Sequence, residues 1–525
     1  MIFGHLSLCR RNALPWEFSE AKIVNSARML EELMLTPLSN AVEEFIRSPK
    51  LHHINGRSVA SRDESTQDVI DPSTGMVLTC ASIGSGAEVE LAIASAQAAF
   101  PKWCRTSPGD RAVTLQRLAD ILEKNQNELA QIESIDVGKA IVNSESFDIP
   151  FGIACVRYFA EMLGHINLDV PHALPHIEAR THRASYGVCG FIFPWNFPFD
   201  LLLWNVIPAL AAGNTIVIKP SPETPLSTLY VAKLAQEAGI PDGVINIVVG
   251  DGVAGRALAG HPSIKRMSFT GSTAVGMQIG ELCGKNLVPA KLELGGKGAA
   301  VVFEDADLDS VAEQLATAIT FNSGQVCCTA TRWLFQNTIH DSLVEKVVAI
   351  LCSKKIGPAL DADTQMGPLV SEAHFNRVSG FLAKGKEQGA VALLDGQKVA
   401  PTGYEAGYYM SPSLLTGPSD NICCTQEIFG PSAYVLKFED ETESVREVNS
   451  LPYGLANSVW SSDLKRANRI AEQLIAGNNW INAHNVFAYG LPYRAVNRSG
   501  IGGGVNSSDT LLEYFRPLTI ARPLQ

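Results

Sequence analysis

The stretch that decides the fold runs from residue 188 to residue 219 and reads VCGFIFPWNFPFDLLLWNVIPALAAGNTIVIK. It opens with a β-branched and aromatic run at 188–193, continues with a long apolar segment at 201–212, and ends with a second β-branched run at 215–219. The two outer runs have the length and composition of buried strands, whereas the middle one suits a buried helix. This order predicts a right-handed crossover that joins two parallel strands.

The same alternation continues on both sides of this unit. Upstream, apolar spacing predicts a helix from about residue 87 and a second, single helix over 110–135. Further helices are predicted at 228–237 and 253–259, and further strands at 244–249, 266–270, 299–303, 332–335 and 432–438. The predicted fold class is therefore α/β, with one parallel sheet before residue 298 and a second α/β unit after it.

Composition and charge exclude several classes of protein. A chain of 525 residues is too long for one core, so two or three domains are expected. The net charge of −12 argues against a nucleic-acid surface or an anionic-membrane surface, both of which concentrate Lys and Arg. No apolar run reaches the roughly 18–20 residues that span a bilayer. We therefore expect no nucleic-acid partner and no membrane partner.

The cysteines and the amino terminus indicate a reduced, cytoplasmic protein. The chain has 11 cysteines, an odd number, without a C-x-x-C pair or a signal-peptide pattern, so neither a disulfide framework nor a metal site is expected. The first 14 residues carry Arg10 and Arg11 and weakly resemble an organellar presequence. Acids from Glu17 onward oppose that interpretation, and a disordered or partly helical extension is favoured.

Two glycine turns and one lysine indicate a nucleotide site. The string GDGVAG at 250–255, which begins at Gly250, matches the dinucleotide fingerprint. The next strand ends without the usual acid, so a plain glycine turn explains the match equally well. A second turn, GSTAVG at 271–276, opens a helix at Gly271 and Ser272, where free N–H groups suit a pyrophosphate. Lys219 ends a predicted parallel strand, where such sheets bind ligands; a solvated strand end is the alternative.

Asn196 and Glu293 are candidate catalytic residues. Prolines on both sides hold Asn196 in the string FPWNFP, and a rigid Asn amide beside aromatic rings suits an oxyanion hole. The alternative is an Asn that caps a turn. Glu293 stands between leucines in LELGGK at 292–297, where burial would raise its pKa toward that of a useful base. Alternatively, Glu293 faces solvent from a strand.

A thiol and a carboxylate–aromatic pair complete the candidates. The string GQVCCT at 324–329 places Cys327 after a glycine turn, where backbone N–H groups favour the thiolate; spacing does not exclude Cys328. Most cysteines are inert, so this signal is weak alone. Glu427 and Phe429 lie on one side of the chain if it is extended, which suits a ribose and a nicotinamide ring; a plain strand entry fits nearly as well.

In this order, these strings resemble the aldehyde dehydrogenase superfamily, from about residue 54 to the carboxyl end. Supporting strings are SIDVGK at 134–139, PDGVIN at 241–246 and NSLPYGL at 449–455. The resemblance implies a Rossmann-like parallel-sheet coenzyme domain, an α/β catalytic domain and a small β oligomerisation arm. The predicted divisions are an N-terminal extension (1–49), the coenzyme-binding domain (50–165 and 184–295), the catalytic domain (296–497) and the oligomerisation arm (166–183 and 505–525).

The resemblance also implies residue roles. Cys327 matches the nucleophile, Glu293 the general base, and Asn196 the oxyanion donor. The implied ligands of NAD or NADP are Lys219, Gly250, Gly271, Ser272, Trp195, Glu427 and Phe429. The implied substrate pocket is Phe197, Trp204, Val326, Asn485, Phe487 and Tyr493. Four aromatic residues without Arg or Lys favour an apolar or aromatic aldehyde. The arm implies a homodimer or a homotetramer.

This sequence departs from the family pattern at three places. The family's K-P-S-E string has Pro222 in place of its acid, with Glu223 one position later, which leaves NAD versus NADP open and makes NADP more plausible than in a typical member. The run P-F-G-G-x-K-x-S-G-x-G-R-E reads PYRAVNRSGIGGG at 492–504, which replaces the paired glycines and the lysine. This change would reshape a loop near the substrate entrance or the subunit contact. The extension at 1–49 has no counterpart in the family.

Three other functions fit part of these features. A CoA-acylating dehydrogenase keeps the fold, but members of that type generally lack the base that Glu293 supplies. A catalytically silent member would act as a binding or structural protein, and decay usually removes the Cys, the Glu or the Asn first. A thiol esterase would share the nucleophile without needing Lys219, Ser272 and Glu427 together.

Overall fold

The computed structural model describes residues 38–524. Its helices are α1 (Asn40–Arg47), α2 (Gly86–Trp103), α3 (Pro108–Lys124), α4 (Gln126–Val137), α5 (Ile149–Met162), α6 (Pro198–Ala211), α7 (Leu226–Glu237), α8 (Gly252–Ala259), α9 (Thr273–Lys285), α10 (Leu308–Thr320), α11 (His340–Ser353), α12 (Glu372–Glu387), α13 (Ile422–Thr425), α14 (Glu441–Val448), α15 (Leu464–Ala471) and α16 (Ser508–Leu512). Short helical turns lie at Ile141–Asn143, Ser144–Asp148, Phe321–Gly324 and Asn497–Ser499.

The strands alternate with these helices along most of the chain. They are β1 (His52–Ile54), β2 (Arg57–Val59), β3 (Thr66–Asp71), β4 (Met76–Ser82), β5 (Asp169–Leu174), β6 (Ile177–Ser185), β7 (Val188–Ile192), β8 (Thr215–Lys219), β9 (Ile245–Ile247), β10 (Ile264–Thr270), β11 (Ala290–Glu293), β12 (Gly298–Val302), β13 (Ala330–Gln336), β14 (Val391–Leu394), β15 (Ser413–Thr416), β16 (Ser432–Phe438), β17 (Ala456–Trp460), β18 (Asn478–Ile481), β19 (Tyr493–Arg494), β20 (Gly500–Ile501), β21 (Gly504–Val505) and β22 (Phe515–Pro523).

The first large sheet has eight strands in the order β2-β1-β9-β8-β7-β10-β11-β20. Its five central strands are parallel, and β1, β2 and β20 add antiparallel edges. The predicted crossover is present, because β7 and β8 pair in parallel with Ile192 opposite Lys219. Every residue of both strands is buried, as expected where helices cover both faces of a sheet.

The second large sheet has seven strands in the order β14-β15-β16-β13-β12-β17-β18, all parallel except β14. These two sheets confirm the predicted α/β class. A separate three-stranded sheet, β22-β6-β5, lies where the sequence predicts the arm. The domain divisions themselves stay a prediction; β20, which lies between the predicted catalytic domain and the second part of the arm, pairs with β11 in the first sheet.

One prediction about helices is wrong. The single helix over 110–135 is two helices, because the chain breaks at Asn125, whose side-chain amide donates to the carbonyl oxygen of Ile121 at 2.8 Å. Within the predicted extension at 1–49, α1 buries Val42 and Ile46 in the largest apolar core. Residues 1–37 of that extension lie outside the described residues. None of the helices between residues 38 and 524 combines the length and apolar character that crossing a bilayer requires.

Candidate active site

One cavity of about 600 Å³ opens between the carboxyl ends of β10 and β11 in the first sheet and the amino ends of β13 and β16 in the second. It brings together most of the residues that the sequence singles out. Those that line it are Trp195, Asn196, Phe197, Trp204, Gly271, Ser272, Glu293, Val326, Cys327, Glu427, Phe429, Asn485, Phe487 and Tyr493. Lys219 and Gly250 do not line it, but they contact each other nearby, since Lys219 Nζ donates to the carbonyl oxygen of Gly250 at 2.8 Å.

Cys327 follows an unusual backbone turn. Asn322, Ser323 and Gly324 all have left-handed conformations, with φ of 47°, 53° and 70°. A Cβ on Gly324 would lie 2.2 Å from the carbonyl oxygen of Gly430, so only glycine fits there. Such strain persists where surrounding contacts hold it: the Ser323 hydroxyl donates to the carbonyl oxygen of Gly367 at 2.8 Å. The turn therefore presents the thiol in a fixed position.

Asn196 is buried, 3% exposed, beside this turn. Its side-chain Nδ2 donates to the carbonyl oxygen of Gln325 at 3.0 Å. Asn322 Nδ2 in turn donates to the Asn196 carbonyl oxygen at 2.8 Å. These contacts join the Asn196 loop to the cysteine loop and leave one Nδ2 hydrogen of Asn196 for a ligand in the cavity.

Glu293 ends β11 and is 8% exposed, so the solvent-facing alternative is wrong. Neither carboxylate oxygen has a hydrogen-bond partner within residues 38–524. Burial raises the pKa of Glu293 to about 8, although Lys291 opposes the shift. A buried carboxyl group with free oxygens and this pKa suits proton transfer at neutral to mildly alkaline pH.

The surroundings of Cys327 oppose the expected thiolate. A hydrogen bond with the Cys328 thiol, burial, and the nearby carboxyl groups of Glu427 and Glu293 raise the pKa of Cys327 well above its usual value. Both thiols line the cavity, but only Cys327 is partly exposed. The Cys328 thiol is 2% exposed and donates to Asn485 Oδ1 at 3.4 Å.

Glu427 sits against the glycine pair that follows Glu293. Its Oε1 accepts from the backbone N–H of Gly296 at 2.9 Å. A Cβ on Gly295 would lie 2.2 Å from Glu427 Oε2, and one on Gly296 would lie 2.6 Å from the Cys327 carbonyl oxygen. The glycines therefore let this loop pass between the carboxylate and the cysteine. Burial raises the pKa of Glu427 to about 7.

Phe429 corrects the expectation of an extended segment. The φ angle of Phe429 is 62°, so the backbone turns at this residue. The side chains of Glu427 and Phe429 therefore project from a turn and not from one side of an extended strand. The Phe429 ring packs edge-on against the Trp195 ring, with centroids 5.3 Å apart. The backbone carbonyl oxygen of Phe429 lies 2.6 Å from His374 Nε2. Arg377 Nη2 donates to the Glu427 carbonyl oxygen at 2.9 Å, which fixes the same turn.

Lys219 is 7% exposed, so the solvated-strand-end alternative is wrong too. Burial lowers its pKa to about 8, while Glu223 and Asp251 oppose the shift. The helix after Gly250 begins with Asp251 as its cap, since Asp251 Oδ1 accepts from Val253 N at 2.7 Å. Gly271 and Ser272, in contrast, line the cavity at the start of α9. The second glycine turn is thus the one that faces the cavity.

All six predicted pocket residues line the cavity. Rings surround its inner part: the centroids of Phe487 and Tyr493 are 5.5 Å apart, and those of Trp204 and Phe487 are 6.0 Å apart. Sequence reasoning missed several lining residues, namely Phe147, Asp200, Glu313, Phe321, His374, Arg377 and His484. The string around Asn485 could have flagged His484, whose Nε2 lies 3.0 Å from the Cys328 carbonyl oxygen.

Among the described residues, no group of three or more His, Cys, Asp or Glu side chains is arranged to hold a metal ion. The ten cysteines that the structure describes are all free. The reactive side chains that line the cavity include the thiols of Cys327 and Cys328, the amide of Asn196, and the carboxyl groups of Asp200, Glu293 and Glu427.

Comparison with known proteins agrees with this geometry. The model of the aldehyde dehydrogenase family matches residues 59–520. The betaine aldehyde dehydrogenase of Mesorhizobium japonicum is 39% identical over 86% of this chain and 93% of its own length. Human 4-trimethylaminobutyraldehyde dehydrogenase is 37% identical over 90% and 96%. An NAD⁺ complex of an aldehyde dehydrogenase from Bacillus cereus superimposes with a TM-score of 0.90 at 33% identity, covering 93% of this chain and 99% of that one. The chain therefore belongs to the aldehyde dehydrogenase family and is an NAD(P)-dependent aldehyde dehydrogenase.

Proposed function

We propose that this enzyme oxidises an aldehyde to a carboxylic acid through a thioester on Cys327, which Glu293 then helps to hydrolyse. The observation that carries the proposal is the meeting of Cys327, Asn196 and Glu293 in one cavity, from positions far apart in the sequence. A nucleophile, an oxyanion donor and a base are the three groups that acyl transfer needs within reach of one carbonyl.

The first step is attack by sulfur on the aldehyde carbonyl carbon. Because the pKa of Cys327 is raised, its proton must pass to a base, and Glu293 offers two free carboxylate oxygens in the same cavity. The carbonyl oxygen gains negative charge as the C–S bond forms. The remaining Nδ2 hydrogen of Asn196 then donates to that oxygen.

The second step is hydrolysis. When bound, the nicotinamide coenzyme accepts the hydride that turns the Cys327 adduct into a thioester. Glu293 first releases to solvent the proton that it took from Cys327, and it then removes a proton from a water molecule as the water attacks the thioester carbonyl. The C–S bond breaks, Cys327 leaves as a thiolate, and the acid is released. Since Glu293 must be ionised for this step, hydrolysis should accelerate as the pH rises through about 8.

The residues present fit a dinucleotide. The carboxylate of the half-buried Glu427, which accepts a hydrogen bond from Gly296 N, lines the cavity and suits ribose hydroxyls. The start of α9 offers Ser272 and backbone N–H groups to a pyrophosphate. Lys219 suits the adenosine ribose, because it lies beside Gly250 at the carboxyl end of β8. Trp195 and Phe429 place aromatic edges on the same side of the cavity.

The decisive experiment compares the two adjacent cysteines. Reduction of NAD or NADP would be followed by absorbance at saturating aldehyde in wild type, Cys327→Ala and Cys328→Ala. We expect Cys327→Ala to abolish turnover and Cys328→Ala to keep most of it, since the Cys328 thiol is already bonded to Asn485. Full activity in Cys327→Ala would refute the proposal.

The alternative functions are less well supported. Glu293 is present and faces the cavity, which counts against a CoA-acylating enzyme. The convergence of Cys327, Glu293 and Asn196 also argues against a catalytically silent protein, because loss of activity in evolution usually removes at least one of these three residues. A simple thiol esterase would have no use for Glu427 and Ser272 in the same cavity.

We propose an apolar or aromatic aldehyde as the substrate, because aromatic rings form the inner cavity. A trimethylammonium aldehyde is a second candidate. The same rings attract a quaternary cation, and Asp200 and the exposed Glu313 also line the cavity. Burial raises the pKa of Asp200 well above its usual value, and a bound cation would favour its ionised form. Two relatives are named for such substrates.

A matched pair of substrates separates the two candidates. Betaine aldehyde and 3,3-dimethylbutanal have nearly the same shape and differ in charge. A higher kcat/KM for the neutral aldehyde supports the apolar class, whereas a preference for betaine aldehyde supports the cationic one. Faster turnover of succinic semialdehyde than of either compound would refute both.

For coenzyme choice, we propose that Glu223 disfavours the 2′-phosphate of NADP. The carboxylate lies one position later than in the family pattern, but it accepts a hydrogen bond from the Ser221 hydroxyl and acts on the ammonium of Lys219. Like charges on Glu223 and a phosphate would repel each other. NAD is therefore the expected coenzyme.

We also propose a homodimer or homotetramer assembled through the arm. Strand β5 forms an edge of the arm sheet, and β22 is exposed along nearly its whole length. Leu518 and Ile520 are 40% and 41% exposed, and such strands and side chains are commonly covered by another subunit. Sedimentation of a Leu518→Glu, Ile520→Glu double variant as a smaller species would support this; an unchanged size would refute it. A cytoplasmic location stays a prediction.

A further inference from the structure

A fully buried lysine stands behind the proposed base. Lys291 is 0% exposed and lies two residues before Glu293 on β11. Alternate residues of a strand face the same side of the sheet, roughly 6–7 Å apart. The neighbouring strand agrees, because Ser268 pairs with Lys291 and Thr270 with Glu293. The ammonium and the carboxyl group therefore share one buried face.

The surroundings of Lys291 do not neutralise it by direct contact. Its Nζ donates to the carbonyl oxygen of Gly504 at 3.4 Å and lies 5.7 Å from the centre of the Tyr514 ring. Among residues 38–524, no carboxylate lies within 4 Å of this ammonium, so its charge can act on Glu293 across the intervening space.

Glu513 supplies the counter-charge from farther away. It is held by Arg266 Nη2 at 3.4 Å and by Arg494 Nη2 at 3.5 Å. A Cβ on Gly503 would lie 2.0 Å from Glu513 Oε2, so any other residue at this position would displace the carboxylate from where it now lies. The glycines at 503 and 504 stand where the family pattern has R-E, so the departure at the carboxyl end makes room for Glu513 and Arg494.

We propose that Lys291 is a positioning residue for Glu293, and that its ammonium, balanced by Glu513, favours the ionised form of Glu293 that thioester hydrolysis requires. This inference rests on the proposed role of Glu293 as the base. Burial lowers the pKa of Lys291 to about 8, with Glu513 and Glu293 opposing the shift, so Lys291 carries its charge at pH 7. The other titratable and charged groups that act on this pair are Cys155, Arg266, Cys327, Tyr493, Arg494 and Tyr514.

The magnitude follows from Coulomb's law. At a charge separation equal to the roughly 6–7 Å backbone spacing of alternate strand residues, and at an effective dielectric constant of roughly 20, two unit charges interact enough to move a pKa by about 1–2 units. Removal of the ammonium should therefore raise the pH at which Glu293 ionises by about 1–2 units. Hydrolysis at pH 7 should slow by roughly 10–100-fold, whereas the rate on the alkaline plateau should stay the same.

The test measures hydrolysis of the acyl-enzyme alone. Acetyl-enzyme would be formed with p-nitrophenyl acetate, separated from reagent, and its breakdown followed after jumps to a series of pH values. Lys291→Met removes the charge at nearly constant shape, and Lys291→Arg restores it. Lys50→Met is the matched control, because Lys50 is another buried lysine, paired beside Ala81 and absent from the cavity lining. Melting temperatures establish that each variant is folded.

We expect the acidic limb of the pH profile of acyl-enzyme hydrolysis to move to higher pH in Lys291→Met. The limb should return toward its wild-type position in Lys291→Arg and stay in place in Lys50→Met. An unmoved limb in folded Lys291→Met, or an equal movement in Lys50→Met, would overturn the inference. Glu293→Gln distinguishes failure of the proposed base from failure of the proposed role of Lys291. If that variant hydrolyses the acyl-enzyme with the wild-type pH profile, the proposed base itself is wrong. If it loses the limb while Lys291→Met keeps it, only the role of Lys291 is wrong.

Discussion

Substitution of Gly295 by alanine should disable the site through Glu427. The new Cβ would lie 2.2 Å from Glu427 Oε2 and 2.8 Å from its carboxylate carbon. Ordinary contact begins near 3.4 Å, so the carboxylate must move by about 1 Å. That movement breaks the hydrogen bond from Gly296 N to Glu427 Oε1, now 2.9 Å long. A hydrogen bond to a charged group contributes about 1.5–3 kcal/mol.

If Glu427 binds the coenzyme, this loss corresponds to roughly a 10- to 150-fold fall in kcat/KM for NAD. Steady-state kinetics at varied NAD and saturating aldehyde would measure it. Gly380→Ala is the control, because a Cβ there meets nothing within 4 Å on the exposed face of α12. That change should leave kinetics unaltered and stabilise the helix by up to about 1 kcal/mol.

A double-mutant cycle tests the physical cause. In a Glu427→Ala background the space opposite Gly295 is vacant, so Gly295→Ala should add no further loss. Additive losses would show that the alanine acts through something other than Glu427. Wild-type kinetics in folded Gly295→Ala would refute the reasoning altogether.

Three further predictions concern single residues. Asn196→Ala should lower kcat/KM for aldehyde by about 10²–10³-fold, the usual loss of one oxyanion donor, and a loss under tenfold would contradict that role. Glu293→Gln should raise the melting temperature at pH 8 but not at pH 4. The raised pKa of Glu293, about 8 against 4.5, makes the folded protein keep a proton that the unfolded chain releases, so stability falls as the pH rises across that window. Glu223→Gln should raise the ratio of kcat/KM for NADP to that for NAD by roughly 2–10-fold, and an unchanged ratio would mean that Glu223 does not contact the 2′ position.

Much of the fold is visible in the sequence because the central strands are covered on both faces. A short, continuous run of β-branched residues, such as the one at 215–219, predicts a strand that is buried on both faces. The structure has β8 at those residues. The break at Asn125 is less visible, because apolar spacing continues through it from α3 into α4. A side chain that bonds to its own backbone interrupts a helix without changing the hydrophobic pattern.

The candidate site is predicted only as far as local strings carry it. The strings around Asn196, Glu293 and Cys327 each contain a local feature that is visible in the sequence. These features are prolines that hold the backbone, an acid between leucines, and a glycine turn before a thiol. Phe147 and Phe321 come to the cavity only through the packing of distant elements, so no local pattern marks them. The pKa of Cys327 is raised by the neighbouring thiol, by burial and by two acids that lie far away in the sequence but close in the fold. Sequence spacing alone does not bring these groups together.

Strand β20 carries a consequence for how the enzyme matures. It pairs Gly500 with Glu293 and Ile501 with Leu292, so the strand that bears the base gains its last neighbour from near the end of the chain. While the ribosome still holds that segment, β11 exposes an open edge that can pair with other chains. Hydrolytic competence should therefore begin only after residues 500–501 have left the ribosome, and a nascent chain arrested before residue 500 should be prone to aggregate.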